Sequence, residues 1–311
     1  MDFLFGPQNN DKTTCLLHLA NQFILNNNIK PNNGYILLFT PPHSENPKSN
    51  EKSQIKNGYN FVQCFTNYAP QYKDNIDLIK CYILSGFEKS CGLINNFRII
   101  SKENKGLKLV LIDDLMNIIR PWIYNILTYQ TKSKAKKEEF FIIQNQIIQY
   151  FLTQISLLQK SYQIPCFITI NIDRSDKINY SKNASGIYNA IFPFVRNCFL
   201  FHKLNEENQI DFEEIKLAFN MRTMKIDICE IKQNENDEQR EQLFNEFEIK
   251  KDKKSKNKIK INELVNDEWI KDSIGDFIEC FNKYKIKEME MEKKKKEEEE
   301  ASLSQMDNKN S

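Results

Sequence analysis

The chain has 311 residues, of which 40% are hydrophobic and 28% are charged, and this composition predicts a globular protein with a sizeable core. Its 44 basic and 42 acidic residues leave a net charge of +2, so the overall charge indicates no particular class of partner. Only eight glycines occur, where average usage of ~7% would give roughly twenty, which excludes collagen-like and glycine-linker proteins.

Other sequence patterns exclude further classes. No apolar run approaches the ~18 residues that a membrane-spanning helix needs, and the N-terminus lacks the basic segment and the apolar length of a signal peptide. The eight cysteines have neither zinc-site nor disulfide-framework spacing, so we expect reduced thiols in an intracellular protein. Three widely separated histidines argue against a histidine-based metal site or catalytic triad.

Short apolar runs alternate with longer amphipathic patterns over residues 1–232, which is typical of an α/β domain with a mainly parallel sheet flanked by helices. The runs with strand character are residues 3–5, 35–39, 60–65, 107–112, 165–172, 198–201, 215–219 and 226–231. Apolar residues recur with helical spacing over residues 13–26, 74–84 and 138–162.

The composition changes after this domain. Residues 233–262 are rich in Asn, Gln, Glu and Lys and predict a polar, basic linker. The run of lysines at residues 250–260 is either a solvated segment or a nuclear-import signal. Residues 263–292 carry apolar side chains on one helical face and predict an amphipathic helix that docks on the domain or on a partner. Four lysines and four glutamates then begin residues 293–311, which we expect to form a disordered charged tail.

The loop between the first strand and the first helix carries the most informative motif. Gly6, Lys12 and Thr13 fit the phosphate-binding pattern G-x-x-x-x-G-K-[ST]. In that pattern the backbone N–H groups and the helix N-terminus bind phosphates, the lysine reaches the terminal phosphates, and the hydroxyl holds Mg²⁺. Asp11 stands where the pattern has its second glycine, and it adds a side chain and a negative charge beside the bound anion.

A second motif lies further along the chain. The apolar strand at residues 107–112 ends at Asp113, where P-loop proteins keep the acidic residue that orients Mg²⁺. Together, the two motifs and the strand–loop–helix context predict a P-loop fold. Two interpretations remain open for the site itself: retained nucleotide binding, or an inherited fold that serves as a scaffold, which Asp11 favours.

The motifs and the order of the elements resemble the RecA-type ATPase core of the eukaryotic strand-exchange recombinases and their paralogues. Residues 6–14 resemble the family's phosphate-binding loop, residues 109–113 its Walker B strand, and residues 144–172 its long helix followed by a T-N-Q-V strand. Within the family the chain is most similar to the paralogue that associates with SWIM-domain proteins in Shu-type complexes, since it opens directly on the first strand. The resemblance covers residues 1–232.

This resemblance implies a RecA-like P-loop core that uses ATP and Mg²⁺. Asn171 stands where the family has its phosphate-sensing glutamine. The residues implied to bind the nucleotide are Gly6, Lys12, Thr13, Thr14 and Asn171. The residues implied to hold Mg²⁺ are Thr13 and Asp113.

The resemblance also implies where DNA would bind. The family's DNA-facing loops correspond to residues 116–138 and 173–190, where cations that track phosphates alternate with tyrosines that can stack on bases. The cations implied to bind single-stranded DNA are Lys132, Lys134, Lys136, Lys137, Arg174, Lys177 and Lys182. The implied function is that of a nuclear recombination mediator, acting in homologous-recombination repair with a SWIM-domain partner and the main strand-exchange recombinase.

Two departures from the family argue against an autonomous strand-exchange enzyme. No equivalent of the family's catalytic glutamate is evident after the strand that ends near Phe65, and there is no F-x-x-A motif for contact with the main recombinase. One alternative is a catalytically inert RecA-fold scaffold, similar to the small Elongator subunits that act in tRNA modification. Another is a small-molecule P-loop kinase, although its lid would need several arginines and the six arginines of this chain are dispersed.

Overall fold

The structure is a computed structural model. It describes residues 1–6, 11–41, 75, 77–84, 106–120, 123, 137–171, 184–204, 209–220, 225–230 and 265–307.

A single eight-stranded sheet organises the described residues. The strands are β1 (Asp2–Gly6), β2 (Tyr35–Thr40), β3 (Ile79–Ile83), β4 (Leu107–Ile112), β5 (Cys166–Asn171), β6 (Asn197–Leu204), β7 (Gln209–Asn220) and β8 (Lys225–Glu230). Their spatial order is β3-β2-β4-β5-β1-β6-β7-β8, with β1 to β6 parallel and the pairs β6–β7 and β7–β8 antiparallel. The prediction of an α/β fold with a mainly parallel sheet is therefore confirmed.

Helices cover both faces of this sheet. The longer ones are α1 (Lys12–Asn26), α2 (Lys137–Tyr162), α3 (Ala184–Ile191) and α4 (Asp267–Asp307). The central strands are buried on both faces, which is why β4 and β5 are nearly continuous apolar runs in the sequence. Among the described residues, no helix combines the length and apolar character that a membrane span requires.

Two apolar clusters form the core, one on each face of the sheet. Alternation along β1 divides its side chains between them, because Phe3 and Phe5 enter one cluster and Leu4 enters the other. The first cluster also contains the buried face of α2, including Phe151. The second contains α1 and the first half of α4, whose Phe277 is fully buried. The apolar face of residues 265–281 is therefore part of the core of the domain.

Specific contacts dock α4 on the rest of the protein. The ring centroids of Phe277 and of His18 on α1 lie 5.7 Å apart. The Asn282 side chain donates to the carbonyl of Ile210 at 2.9 Å and accepts from its N–H at 3.0 Å, so it satisfies both backbone groups of one β7 residue. Since β7 and α1 are distant in sequence, these contacts fix α4 across two separate elements.

The C-terminus differs from the sequence prediction. The amphipathic helix predicted over 263–292 begins at Asp267 and continues to Asp307, through most of the segment that we expected to be a disordered tail. Lys293 and Glu297 form an i,i+4 pair at 4.0 Å, a spacing that supports a solvated helix. Oppositely charged blocks can thus extend a helix that its apolar half has already nucleated.

A second difference concerns the segment before β4. The helix expected over residues 74–84 is wrong, because Ile79–Ile83 form strand β3, which pairs in parallel with β2. Ile79 is buried while Lys80 and Tyr82 are exposed, which is the period of two of an edge strand. The strand predicted over 60–65 lies outside the described residues.

Candidate functional site

Three neighbouring strands end at the same edge of the sheet, and the predicted site residues follow them. Gly6 ends β1, Asp113 follows β4, and Asn171 ends β5. Gly6 and Asn171 are paired in the register of β1 with β5. The carboxyl edge of a parallel sheet is where α/β proteins bind ligands, so the fold places these residues at the expected edge.

One side-chain contact joins the two sequence motifs. Thr13, in the first turn of α1, donates a hydrogen bond from Oγ1 to Oδ1 of Asp113 at 2.7 Å. The two residues are one hundred positions apart in the chain. In P-loop proteins the corresponding hydroxyl and carboxylate both hold Mg²⁺, so they must lie close together as they do here.

A second hydroxyl orients the same carboxylate. Thr169, in the buried part of β5, donates from Oγ1 to Oδ1 of Asp113 at 2.9 Å and accepts from the N–H of Asp114 at 2.7 Å. Buried Asp113 therefore has its orientation fixed from two elements, α1 and β5. Sequence reasoning missed Thr169; the only signal was a hydroxyl residue in the middle of an otherwise apolar buried strand.

Lys12 is the cation of the site. Its side chain is almost fully buried, with 3% relative exposure. Burial lowers the pKa of Lys12 to about 8, and the carboxylates of Asp114, Asp113 and Asp11 oppose that change. The ammonium group is thus largely charged at neutral pH. A bound anion would stabilise this charged form further.

Asp11 has the backbone conformation that glycine usually provides at this position. Its φ is 51° in the left-handed region, and it is the N-cap of α1 without a side-chain capping bond. Aspartate is one of the few residues with a Cβ that enter this region readily. The substitution therefore preserves the backbone path into α1, and its remaining effects are the added side chain and the added negative charge.

Asp114 occupies a similar conformation after β4, with a φ of 51°. Its carboxylate accepts hydrogen bonds from the backbone and side chain of Asn117. The first N–H groups of the helical residues 115–120 have no carbonyl partner within that helix, and Asp114 provides an acceptor for one of them. Asp114 is thus engaged by its own helix and leaves Asp113 as the carboxylate that faces Thr13.

The remaining predicted site residues fall into two groups. Thr14 on α1 and Asn171 are both partly buried and lie at the same edge of the sheet as Lys12. Lys137 is the first residue of α2. The other cations implied to bind DNA, and residues 7–10 of the phosphate-binding loop, lie outside the described residues; these cations are Lys132, Lys134, Lys136, Arg174, Lys177 and Lys182.

The position of β3 changes one argument made from the sequence. The family's catalytic glutamate would follow a strand that the sequence predicts to end near Phe65, but the described strand that pairs with β2 is β3, which ends at Ile83. The segment that follows it, residues 85–105, lies outside the described residues. The residues that would carry a catalytic glutamate after either strand therefore lie outside the part of the chain that the structure describes.

Other reactive side chains do not form a competing site within the described part of the chain. No group of three His, Cys, Asp or Glu residues is arranged there to hold a metal ion. Burial raises the pKa of Cys166 to about 12 and that of Cys81 to about 11, so neither is a thiolate nucleophile at neutral pH. Comparison with protein-family models and with curated proteins gives no match for this chain.

Proposed function

We propose that this protein is a RecA-like P-loop protein that binds Mg²⁺ and ATP at the edge where β1, β4 and β5 end, and that it acts as a nuclear mediator of homologous recombination. In this role it binds single-stranded DNA and assists the strand-exchange filament together with a SWIM-domain partner. The geometry of the described residues supports the nucleotide site, and the family resemblance supports the wider role.

The observation that carries the nucleotide site is the hydrogen bond between Thr13 and Asp113. A hydroxyl and a carboxylate that are one hundred residues apart meet at 2.7 Å beside a buried lysine. A chance match to the loop pattern would not require this meeting, whereas Mg²⁺ coordination does. The order of the strands supports the same proposal, because β1 and β4 are separated only by β5.

Each residue has a distinct part in binding the nucleotide. Lys12 would neutralise the terminal phosphates, Thr13 and Asp113 would hold Mg²⁺, and Asn171 would contact the terminal phosphate from the end of β5. The N–H groups at the start of α1 would bind phosphate oxygens. Asp11 would weaken this binding through its charge, so that the affinity is lower than that of a loop with glycine at the same position.

Two substitutions at the site test the nucleotide proposal. We expect Lys12→Ala to weaken ATP binding in the presence of Mg²⁺ by roughly ten- to a hundredfold, because it removes a charged hydrogen-bond donor. We expect Asp11→Gly to strengthen binding, because it removes a carboxylate next to the phosphates while retaining the backbone conformation. Titration calorimetry of the full chain measures both effects.

Lys30→Ala is the matched control for Lys12→Ala, since Lys30 is an exposed lysine beyond the far end of α1. Its affinity for ATP should equal that of the unchanged protein. If neither site substitution changes the affinity, or if the unchanged protein does not bind ATP, the site is vestigial and the inert RecA-fold scaffold becomes the better proposal.

The mediator role predicts particular partners and a salt-dependent affinity for single strands. Affinity purification of the full chain should recover a SWIM-domain protein or the strand-exchange recombinase. Recovery of tRNA-modification subunits instead would contradict the mediator role. Binding to single-stranded DNA should weaken steeply with added salt because phosphate contacts release counterions, and an affinity undetectable even at low salt would remove the DNA-binding part of the proposal.

A further inference from the structure

The exposed side of α2 has an unusual composition. Residues 140–159 contain no Asp, Glu, Lys or Arg, although charged residues make up 28% of the chain. A helix that lies on the surface of a globular domain normally carries charges on its outer face. The comparison within this protein is α4, whose exposed positions over a similar length include Asp267, Glu268, Lys271, Asp272, Asp276, Glu279 and Lys283.

The outer face of α2 is partly apolar as well as uncharged. Ile142 is 57% exposed, Tyr150 49% and Leu157 41%. Gln146, Gln149 and Thr153 are the exposed residues between them. At 3.6 residues per turn these six side chains fall within an arc of about 100°, on the side opposite the buried Phe151, and they extend along about 22 Å of helix. We call these six residues the α2 stripe.

The order of side chains in the α2 stripe is symmetric about its centre. Ile142 lies as far before the midpoint between Gln149 and Tyr150 as Leu157 lies after it, and Gln146 and Thr153 are related in the same way. Apolar residues therefore occupy both ends, and uncharged hydrogen-bonding residues lie between each end and the centre. A surface with this symmetry is complementary to itself when two copies pack antiparallel about a two-fold axis.

We propose that the α2 stripe is a homodimer interface, in which α2 of one copy packs antiparallel on α2 of a second copy. Ile142 then contacts the partner's Leu157, and Gln146 lies opposite the partner's Thr153, where amide and hydroxyl groups can form hydrogen bonds. Tyr150 lies at the axis beside the partner's Gln149. No charge has to be desolvated in this arrangement, which avoids the largest penalty that a side chain can add to the burial of a helix face.

The small size of the stripe is typical of a weak, reversible association. A contact along about 22 Å of one helix buries less than the roughly 800 Å² per partner of a standard interface. We therefore expect a reversible dimer with a dissociation constant in the micromolar range, on the order of 1–100 μM. The association does not involve the nucleotide site, so it is expected without ATP and can fail independently of the proposed function.

Sedimentation velocity of the full chain without nucleotide tests the interface. From about 1 μM to about 200 μM, the unchanged protein should pass from monomer to dimer. Tyr150→Glu should keep it monomeric over the same range, because it places two carboxylates at the axis. Leu25→Glu is the matched control, since Leu25 on α1 has a similar exposure of 54%, and this variant should dimerise like the unchanged protein.

A pair of double variants tests the antiparallel register. Gln146→Lys with Thr153→Lys places like charges opposite each other and should weaken dimerisation by at least about tenfold. Gln146→Lys with Thr153→Glu places opposite charges together and should retain it. The proposal would be overturned if the unchanged protein were monomeric, if Tyr150→Glu dimerised like the unchanged protein, or if the two double variants lost dimerisation equally. Equal melting temperatures of all variants verify that they fold.

Discussion

Replacing Arg196 with alanine is expected to lower the free energy of unfolding by about 3–5 kcal/mol. The Arg196 guanidinium donates from Nε to Oδ1 of Asp2 at 2.8 Å and from Nη2 to Oδ2 at 2.5 Å. The Asp2 side chain is only 2% exposed. Removal of the arginine therefore takes the paired cation from a buried carboxylate, which keeps only neutral donors such as the Asn197 amide at 3.0 Å among its described hydrogen bonds. Nη1 of Arg196 also donates to the carbonyl of Val265 at 3.0 Å, so the substitution loosens the start of α4 as well.

The matched control for this substitution is Lys271→Ala. Lys271 also joins α4 to the sheet, through Nζ and Oε2 of Glu214 at 2.5 Å, but its side chain is 47% exposed. An ion pair in contact with water contributes about 0–1 kcal/mol, so this variant should unfold almost like the unchanged protein. Denaturant unfolding of both variants makes the comparison. If both variants lost the same small amount of free energy of unfolding, the stability of the protein would not depend on the pairing of Asp2 with Arg196.

Acid is expected to destabilise the protein through His18, by up to about 3 kcal/mol between pH 6.5 and pH 4. Burial between α1 and α4 lowers the pKa of His18 to about 4, from an ordinary value of 6.5. Between these values the unfolded chain binds a proton that the folded protein excludes. The contribution of neutral His18 to the free energy of unfolding is therefore fully present above pH 6.5. It decreases as the pH is lowered and does not change further below pH 4.

His18→Leu should remove this component of the pH dependence, because leucine fills the site without a titratable group. His202→Ala is the control, since His202 lies on β6 with a side chain 41% exposed. Chemical unfolding measured at several pH values between 4 and 7 shows how steeply the free energy of unfolding of each protein depends on pH. If the His18→Leu protein loses stability with acid as steeply as the unchanged protein, the buried histidine is not the group responsible.

The central elements of the fold could be predicted from sequence because burial on two faces leaves a strong pattern. The apolar runs of β4 and β5 and the helical period of α2 each identify one structure without competing interpretations. The edge strand β3 could not be predicted in the same way. Its isoleucines also fit a helical period, and only pairing with β2 decides in favour of a strand.

The candidate site was predictable in part for a similar reason. Lys12, Thr13 and Asp113 were found because their residue types stand at positions defined by a motif. Thr169 was not, because no local pattern links it to Asp113, which it meets only when β4 and β5 pair.

The length of α4 has a consequence for what the protein can reach. Phe281 is the last buried residue of this helix among those whose burial is described, and the helix continues to Asp307. The intervening residues correspond to about 40 Å of helix, which exceeds the diameter of a small domain. The first part of α4 is fixed to α1 and β7. The core therefore sets the direction in which the rest of the helix extends. Anything that binds near residue 300 would be held on a helical spacer of defined length rather than on a loose tether.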